Sequence, residues 1–284
     1  MKKTIKTLVK NVIQSTTRVV GGTAAGRYLF AQITANLRKR VQQVSHGGVS
    51  LGFSTPNELN CYRADSFSTK EPETLEWIDA MPEGSVVWDV GANVGLYSCY
   101  AAKKRNCRVF AFEPSVFNLE LLARNIFGNA LVQNITIVPL PLSDTLAANT
   151  LNMTSMEWGG ALSSFGQSYG HDGKRMPKVF EFPTIGLTMV DAVELLKIPQ
   201  PDYIKLDVDG IEHLILRSGM PILSRVKGVL IEINEKFADQ YNGAAECLKN
   251  AGLILVEKRQ SLEVESNEEF RDSFNQIWCR PETV

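Results

Sequence analysis

The chain has 284 residues, 44% of them apolar and 21% charged, with a formal net charge of -1. That is long enough for one α/β core plus an extension and has the composition of a soluble globular protein. No apolar run is long enough to span a bilayer, which argues against an integral membrane protein. The five cysteines, Cys61, Cys99, Cys107, Cys247 and Cys279, form no C-x-x-C pair. This spacing argues against a disulfide framework or a cysteine zinc site and fits a reducing, cytoplasmic setting.

The small net charge hides an asymmetry. Nine Lys or Arg precede the first carboxylate, Glu58, and the rest of the chain carries 21 basic against 31 acidic residues. The opening MKKTIKTLVKNVIQ sets Ile5, Leu8, Val9, Val12 and Ile13 on one helical stripe, with Lys2, Lys3, Lys6 and Lys10 mostly elsewhere. A cationic amphipathic helix either lies on anionic lipid or a partner, here the inner face of a membrane, or packs on its own domain. A secretory signal fits poorly, because Lys and Arg interrupt the apolar region before any cleavage site. Residues 1–57 therefore read as a basic, helical N-terminal extension of one or two helices. It runs into a Gly47-Gly48 turn and a hairpin-like stretch, GVSLGFSTPNELNCYRA. Residues 58–284 read as the second domain. Its first helix, 70–79, has Pro72 near the first turn and acids that suit the helix dipole.

From Ser85 onward strands and helices alternate. Strands are predicted at 86–91, 107–114, 135–140, 202–210, 226–234 and 253–258, with helices at 95–104, 116–127, 188–196, 211–218 and 238–251. Short runs of Val, Ile and Leu between helices imply a mostly parallel sheet covered on both faces, a doubly wound α/β fold. FNQIWCRP, 274–281, supplies a last strand that enters antiparallel. Residues 145–187 break the rhythm, and a connection that long is expected to be functional or flexible.

In such sheets ligands bind beyond the carboxyl ends of the strands. The stretch WDVGANVG, 88–95, sits there. Gly91 gives a turn free of side-chain bulk, Asn93 tolerates a left-handed backbone, and Gly95 lets the next helix start close to a ligand. A dinucleotide fingerprint needs glycine at 93 and 96, where Asn93 and Leu96 stand, and no phosphate-binding G-x-x-x-x-G-K-[ST] follows. The next strand ends in FAFEP, and Glu113 at its tip can accept both hydroxyls of a ribose. A glycine loop, a ribose acid and no pyrophosphate cradle point to a nucleoside without phosphates, S-adenosylmethionine above all. Asp89 either faces the cofactor's positive end or orders the turn. Asp144, in PLSD after the third strand, either accepts from an adenine amino group or caps a turn.

WDVGANVGLYS, VFAFEPSVFNLELLARN, LSD and YIKLDVDGIEHLIL, in this order, resemble the FkbM-type family of S-adenosylmethionine-dependent methyltransferases over roughly 68–258. The resemblance implies a seven-stranded, Rossmann-like class I methyltransferase sheet and O-methylation of a sugar, glycan or secondary metabolite. It also implies cofactor roles for Gly91, Asn93, Gly95, Glu113 and Asp144. Asp209 stands where glutamate is commonest in the family. The first 60 residues and the 145–187 insert lie outside the shared motifs and are expected to choose the acceptor.

Methyl transfer to a hydroxyl rests on positioning and is helped by a base. The fourth and fifth strands end in KLDVDGIE and IEIN, which is expected to gather Asp207, Glu232 and Asn234. Asp207 or Glu232 is the base in one reading. In a second, the three residues ligate a divalent metal that lowers the acceptor's pKa. In a third, Asp207 and Asp209 only cap the helix at 211–218. Lys205 reads as a buried partner for an acid. His213 and His171 are weaker base candidates, and Trp158 and Tyr169 either stack on a sugar or pack the insert down. Two other functions share the fold, a nucleic-acid methyltransferase and a non-catalytic binding module. The strand tip LDVDG lacks the Asn/Asp-Pro-Pro-Tyr/Phe of amino-methylating nucleic-acid enzymes and no Pro-Cys occurs, so no specific nucleic-acid partner is expected.

Overall fold

The computed structural model describes residues 2–260 and 270–281. In chain order it forms α1 (Lys2–Gly21), α2 (Ala24–Leu37), β1 (Val41–His46), β2 (Val49–Ser54), α3 (Glu58–Asp65) and α4 (Pro72–Asp79). Then follow β3 (Val86–Val90), α5 (Leu96–Arg105), β4 (Arg108–Phe112), α6 (Val116–Gly128) and β5 (Ile135–Val138). The insert holds β6 (Ala147–Met153), β7 (Ser163–Phe165) and β8 (Phe180–Gly186). The chain closes with α7 (Met189–Glu194), β9 (Tyr203–Leu206), α8 (Glu212–Ser218), α9 (Met220–Leu223), β10 (Gly228–Asn234), α10 (Ala238–Asn250), β11 (Ile254–Arg259) and β12 (Ser273–Cys279).

Seven strands make the main sheet in the order β11-β12-β10-β9-β3-β4-β5. All neighbours from β10 to β5 run parallel, and β12 alone is antiparallel to both β10 and β11. From β3 the chain winds outward through β4 and β5, then returns to the other side of β3 with β9. That reversal opens a crevice at the strand tips between β3 and β9, where this class of sheet binds ligands.

Alternation along the strands feeds two cores. Trp88, Phe112, Ile204, Leu206 and Ile231 face one way, against Ala192 of α7, Ile215 of α8 and Leu248 of α10. Val87, Val109, Ala111, Leu230 and Ile277 face the other, against α4, α5 and α6. Both faces of the parallel strands are dry, which is why they read as nearly continuous apolar runs.

Two expectations need correction. Gly47 and Gly48 have φ of 54° and 81°, a tight turn that closes a β1–β2 hairpin, and Leu51 and Phe53 of β2 are buried in the second core. Asn129, just after α6, grips the Gly52 backbone from both sides, and Asn125 of α6 accepts from Ser54 N. The boundary drawn at residue 57 thus falls inside the packed body, and the separate extension ends near Leu37. The second correction concerns that extension. Between Thr7 and Leu37 every residue is exposed except Val20, Gly21, Gly26 and Phe30, so α1 does not pack on the domain. Those four residues form the joint of the helical hairpin, where a methyl group on Gly26 would overlap the Val20 carbonyl. No helix among the described residues is long and apolar enough to cross a membrane.

The 145–187 insert is a small antiparallel sheet in the order β7-β6-β8. Leu151, Met153 and Phe165 sink into the first core and anchor it. Its length is explained by folded structure.

Candidate active site

The glycine loop is shaped by its neighbours before any ligand is considered. Gly91 has φ 85°, and a methyl group there would fall inside the Asp207 carbonyl oxygen, so only glycine lets the loop lie against the tip of β9. Gly95, φ 82°, would strike a Leu122 methyl of α6, and it lies outside the cavity wall. Its missing side chain serves helix packing. Asn93 takes the left-handed conformation, φ 51°, and donates its backbone N–H to Glu113 Oε2 at 2.8 Å.

Glu113 follows the tip of β4, buried, with Oε1 accepting from Ser115 N at 2.7 Å. Burial raises its carboxyl to about 7, against the pull of the two backbone donors. A carboxylate has about four acceptor positions, more than the two backbone donors fill, which leaves capacity for a ribose hydroxyl. With Gly91 and Asn93 on the same wall, these residues fit an adenosine. Asp89 is buried on that wall too, its Oδ2 accepting from Ser98 Oγ of α5, and burial pushes its carboxyl up. It therefore both ties strand to helix and faces the cavity. Asp144 does not join them. It is exposed, accepts only from the neighbouring Ser143 hydroxyl, and Pro141 and Leu142 form the wall instead.

The same cavity is lined by acids of the fourth and fifth parallel strands. Lys205 is buried in β9 and donates to Asp207 Oδ2 at 2.8 Å. Burial alone would lower Lys205, but Asp207, Glu71 and Asp89 together hold it high. Asp209 sits at φ 64°, and its Oδ2 accepts from Leu162 N and Ser163 N of the insert, while burial and then Asp207 push its carboxyl to about 6. Neither aspartate caps α8, whose first turn receives no side-chain cap; buried Glu212 accepts from Val208 N and Gly210 N. The capping reading of Asp207 is excluded.

Glu232 projects into the same cavity and makes no hydrogen bond or ion pair among the described residues. Burial, then the charges of Asp207, Glu71 and Asp209, push it well above the ordinary carboxylate range. Asn234 lies off the cavity wall, its amide oxygen taken by Lys236 N. The three residues offered as metal ligands therefore do not converge. Asp207 has given an oxygen to an ammonium, and no group of three or more His, Cys, Asp or Glu is arranged for a metal among the described residues.

Neither histidine lines the cavity. His213 is buried with Nδ1 unpartnered, edge-on to Phe237, and His171 stacks on Phe270 at 4.8 Å. Trp158 lies under the Arg38 guanidinium and Tyr169 packs on Phe237, so both hold the insert down.

Residues 158–163 of the insert form a strap across the mouth. The Trp158 carbonyl accepts from Asn57 and Asn60, the Gly159 carbonyl from the Arg63 guanidinium, and the Gly160 carbonyl from the side-chain amides of Asn93 and Asn118. Asn118 also accepts from Gly159 N at 3.0 Å. Arg63 and the Lys70–Glu71 pair, 2.9 Å apart, come from outside the main sheet to line the same cavity. The signal available in the sequence was the run of amide side chains at Asn57, Asn60 and Asn118. It becomes readable only once the strap is seen to present carbonyls that those amides hold.

Residues 89–272 match the methyltransferase FkbM domain. The hexuronic acid methyltransferase AglP of Haloferax volcanii is 26% identical over 157 residues, 55% of this chain and 59% of that protein, so the match spans less than two thirds of the relative. Among solved structures, a putative SAM-dependent methyltransferase from Streptococcus mutans superposes with a TM-score of 0.50 at 11% identity, covering 84% of this chain and 55% of that one. A precorrin-6y C5,15-methyltransferase from Geobacter metallireducens aligns at TM-score 0.43 and 15% identity, over 74% and 86% of the two chains. With the family domain matched over more than half its length, the chain belongs to the FkbM family of methyltransferases.

Proposed function

We propose that this methyltransferase is S-adenosylmethionine-dependent and methylates a hydroxyl of a sugar or similar polyhydroxylated acceptor, with Glu232 as the base. The observation that carries the reading is Glu232 itself, a cavity carboxylate without a partner among the described residues and with its affinity for a proton raised. Its rival Asp207 has one oxygen already committed to Lys205. A base works best when its pKa lies near the working pH and its oxygen is free to receive the proton.

S-adenosylmethionine, when bound, supplies an electrophilic methyl carbon on a sulfonium and departs as the neutral thioether. Glu113, Gly91 and Asn93 hold the adenosine end, leaving the acids of β9 and β10 for the reacting end. Glu232 accepts the acceptor's hydroxyl proton as the new C–O bond forms. Asp207, oriented by Lys205, faces the same space. Positioning of this kind is worth ~7–11 kcal/mol, and a base contributes about 10²–10⁴-fold.

A carbohydrate acceptor is supported by the aromatic and charged residues of the cavity wall. Phe67, Tyr97, Phe270 and Phe274 offer aromatic surfaces for the apolar faces of a sugar, while Arg63, Lys70 and Glu71 offer donors and acceptors. The printed activity of the Haloferax relative, on a hexuronic acid, agrees with this class. The test is incubation with methyl-labelled S-adenosylmethionine and a panel of neutral sugars, uronic acids and glycan extracts, read by mass spectrometry. A labelled O-methyl sugar is expected. Label that goes only into nucleic acid or protein, or nowhere, refutes the proposal.

A further inference from the structure

We infer that the α1–α2 hairpin is an in-plane anchor for an anionic lipid surface. Its helices are held by almost nothing of their own. Apart from the joint at Val20, Gly21, Gly26 and Phe30, the described side chains of both helices face solvent. Isolated helices of this length are marginal in water and normally depend on packing of an apolar face. Here the apolar faces are bare. Leu8, Val9, Val12, Ile13 and Val19 of α1 are each more than half exposed, and Leu29, Ile33 and Leu37 follow one stripe of α2. A contiguous exposed apolar face marks a surface that is covered in use.

Charge decides what covers it. Lys10, Arg18, Arg27, Arg38, Lys39 and Arg40 are exposed and form no ion pair among the described residues, and the chain has no carboxylate before Glu58. Two such faces pressed together would oppose cation to cation, which disfavours a second copy. An anionic leaflet offers the reverse: headgroups for the cations and acyl chains for the apolar stripe. The helices lie on the surface, since none among those described can cross it.

The hairpin is also fastened to the site. At its root the Arg38 guanidinium lies 5.7 Å over the Trp158 ring, and the Arg38 carbonyl accepts from Arg124 Nη1 at 3.3 Å. Trp158 begins the strap that walls the cavity. A docked hairpin therefore ties that wall to the lipid surface.

The test is sedimentation of the full chain with vesicles of phosphatidylcholine alone or with about 30% phosphatidylglycerol. Pelleting with the anionic vesicles, absent with the neutral ones and reduced by added salt, is expected. Each cation near an anionic leaflet strengthens binding about fivefold. The pair Lys10→Gln and Arg18→Gln should therefore weaken partitioning about 25-fold, and Val12→Asp with Ile13→Asp should abolish it. In both variants S-adenosylmethionine affinity, measured by calorimetry, should stay unchanged, which shows that the body is folded. The inference is overturned if the wild type stays in the supernatant, or if it pellets equally with neutral lipid. It is also overturned if Val12→Asp with Ile13→Asp leaves lipid binding intact but dissolves a dimer seen by light scattering.

Discussion

Replacing Glu113 by glutamine tests the proposed cofactor end most sharply, because the variant changes charge while nearly preserving shape. In the unliganded protein burial holds this carboxyl at about 7, above the ordinary 4.5. The sign follows from that direction. The folded protein binds the proton more tightly than the unfolded chain, so this group's stabilisation is full below about 4.5 and is lost as pH rises through 7. Ribose hydroxyls donate to the ionised form, so cofactor binding must drive off the proton at low pH. At pH 6 roughly one molecule in eleven is ionised and at pH 8 roughly ten in eleven, which predicts about tenfold weaker cofactor binding at the lower pH. In Glu113→Gln two charge-assisted bonds of roughly 1.5–3 kcal/mol each are weakened. The amide NH₂ must also face either Asn93 N or Ser115 N, the two donors the carboxylate now satisfies. A loss of about 3 kcal/mol, or about 100-fold in affinity, is expected at pH 8, with the pH dependence gone. Isothermal titration calorimetry at pH 6, 7 and 8 on both proteins measures it. A variant that binds within a few-fold of wild type at pH 8, or a wild type with flat affinity across the range, refutes the ribose role.

Glu232→Gln should lower turnover about 10²–10⁴-fold and remove the acid limb of the pH–rate profile while leaving cofactor affinity intact; unchanged turnover hands the proton to another group. Lys205→Met strips the counter-ion from Asp207. Breaking a buried pair costs about 3–5 kcal/mol, and because the Asp207 side chain keeps 27% exposure the lower end is expected in urea unfolding. An unshifted midpoint would show that the pair contributes nothing to the fold. Gly91→Ala combines a left-handed residue, about 1–2 kcal/mol, with overlap on the Asp207 carbonyl, so the thermal midpoint should fall by several degrees. A midpoint equal to wild type would mean that the loop does not lie against β9.

The strand ladder was readable in the sequence because its signal is local. Runs such as Val86–Val90 and Gly228–Asn234 carry their burial in their own composition, and the antiparallel entry of β12 followed from its place after the last parallel strand. Glycine and acid at the strand tips were equally visible, since only a few residue types serve there. What the sequence could not say is which neighbour each side chain meets. Gly91 and Gly95 were legible as bulk-free positions, yet the surfaces that need them bare, the Asp207 carbonyl and Leu122, are supplied by other elements. Asp144 read as either an adenine acceptor or a turn cap, and the chain beyond β5 leaves it in solvent.

The sequence by itself therefore determined the fold, the family and the short set of residue types able to grip a nucleoside, because periodicity and tip residues are written along the chain. Tertiary structure alone decided that Lys205 occupies Asp207 and leaves Glu232 without a partner among the described residues. It also decided that the insert lays carbonyls across the mouth for side-chain donors to hold, and that the cationic hairpin stands off the body with its apolar stripe uncovered. Those outcomes depend on through-space distances between segments far apart in the chain, and a hydrogen bond or ion pair is sensitive to a fraction of an ångström that no local pattern encodes.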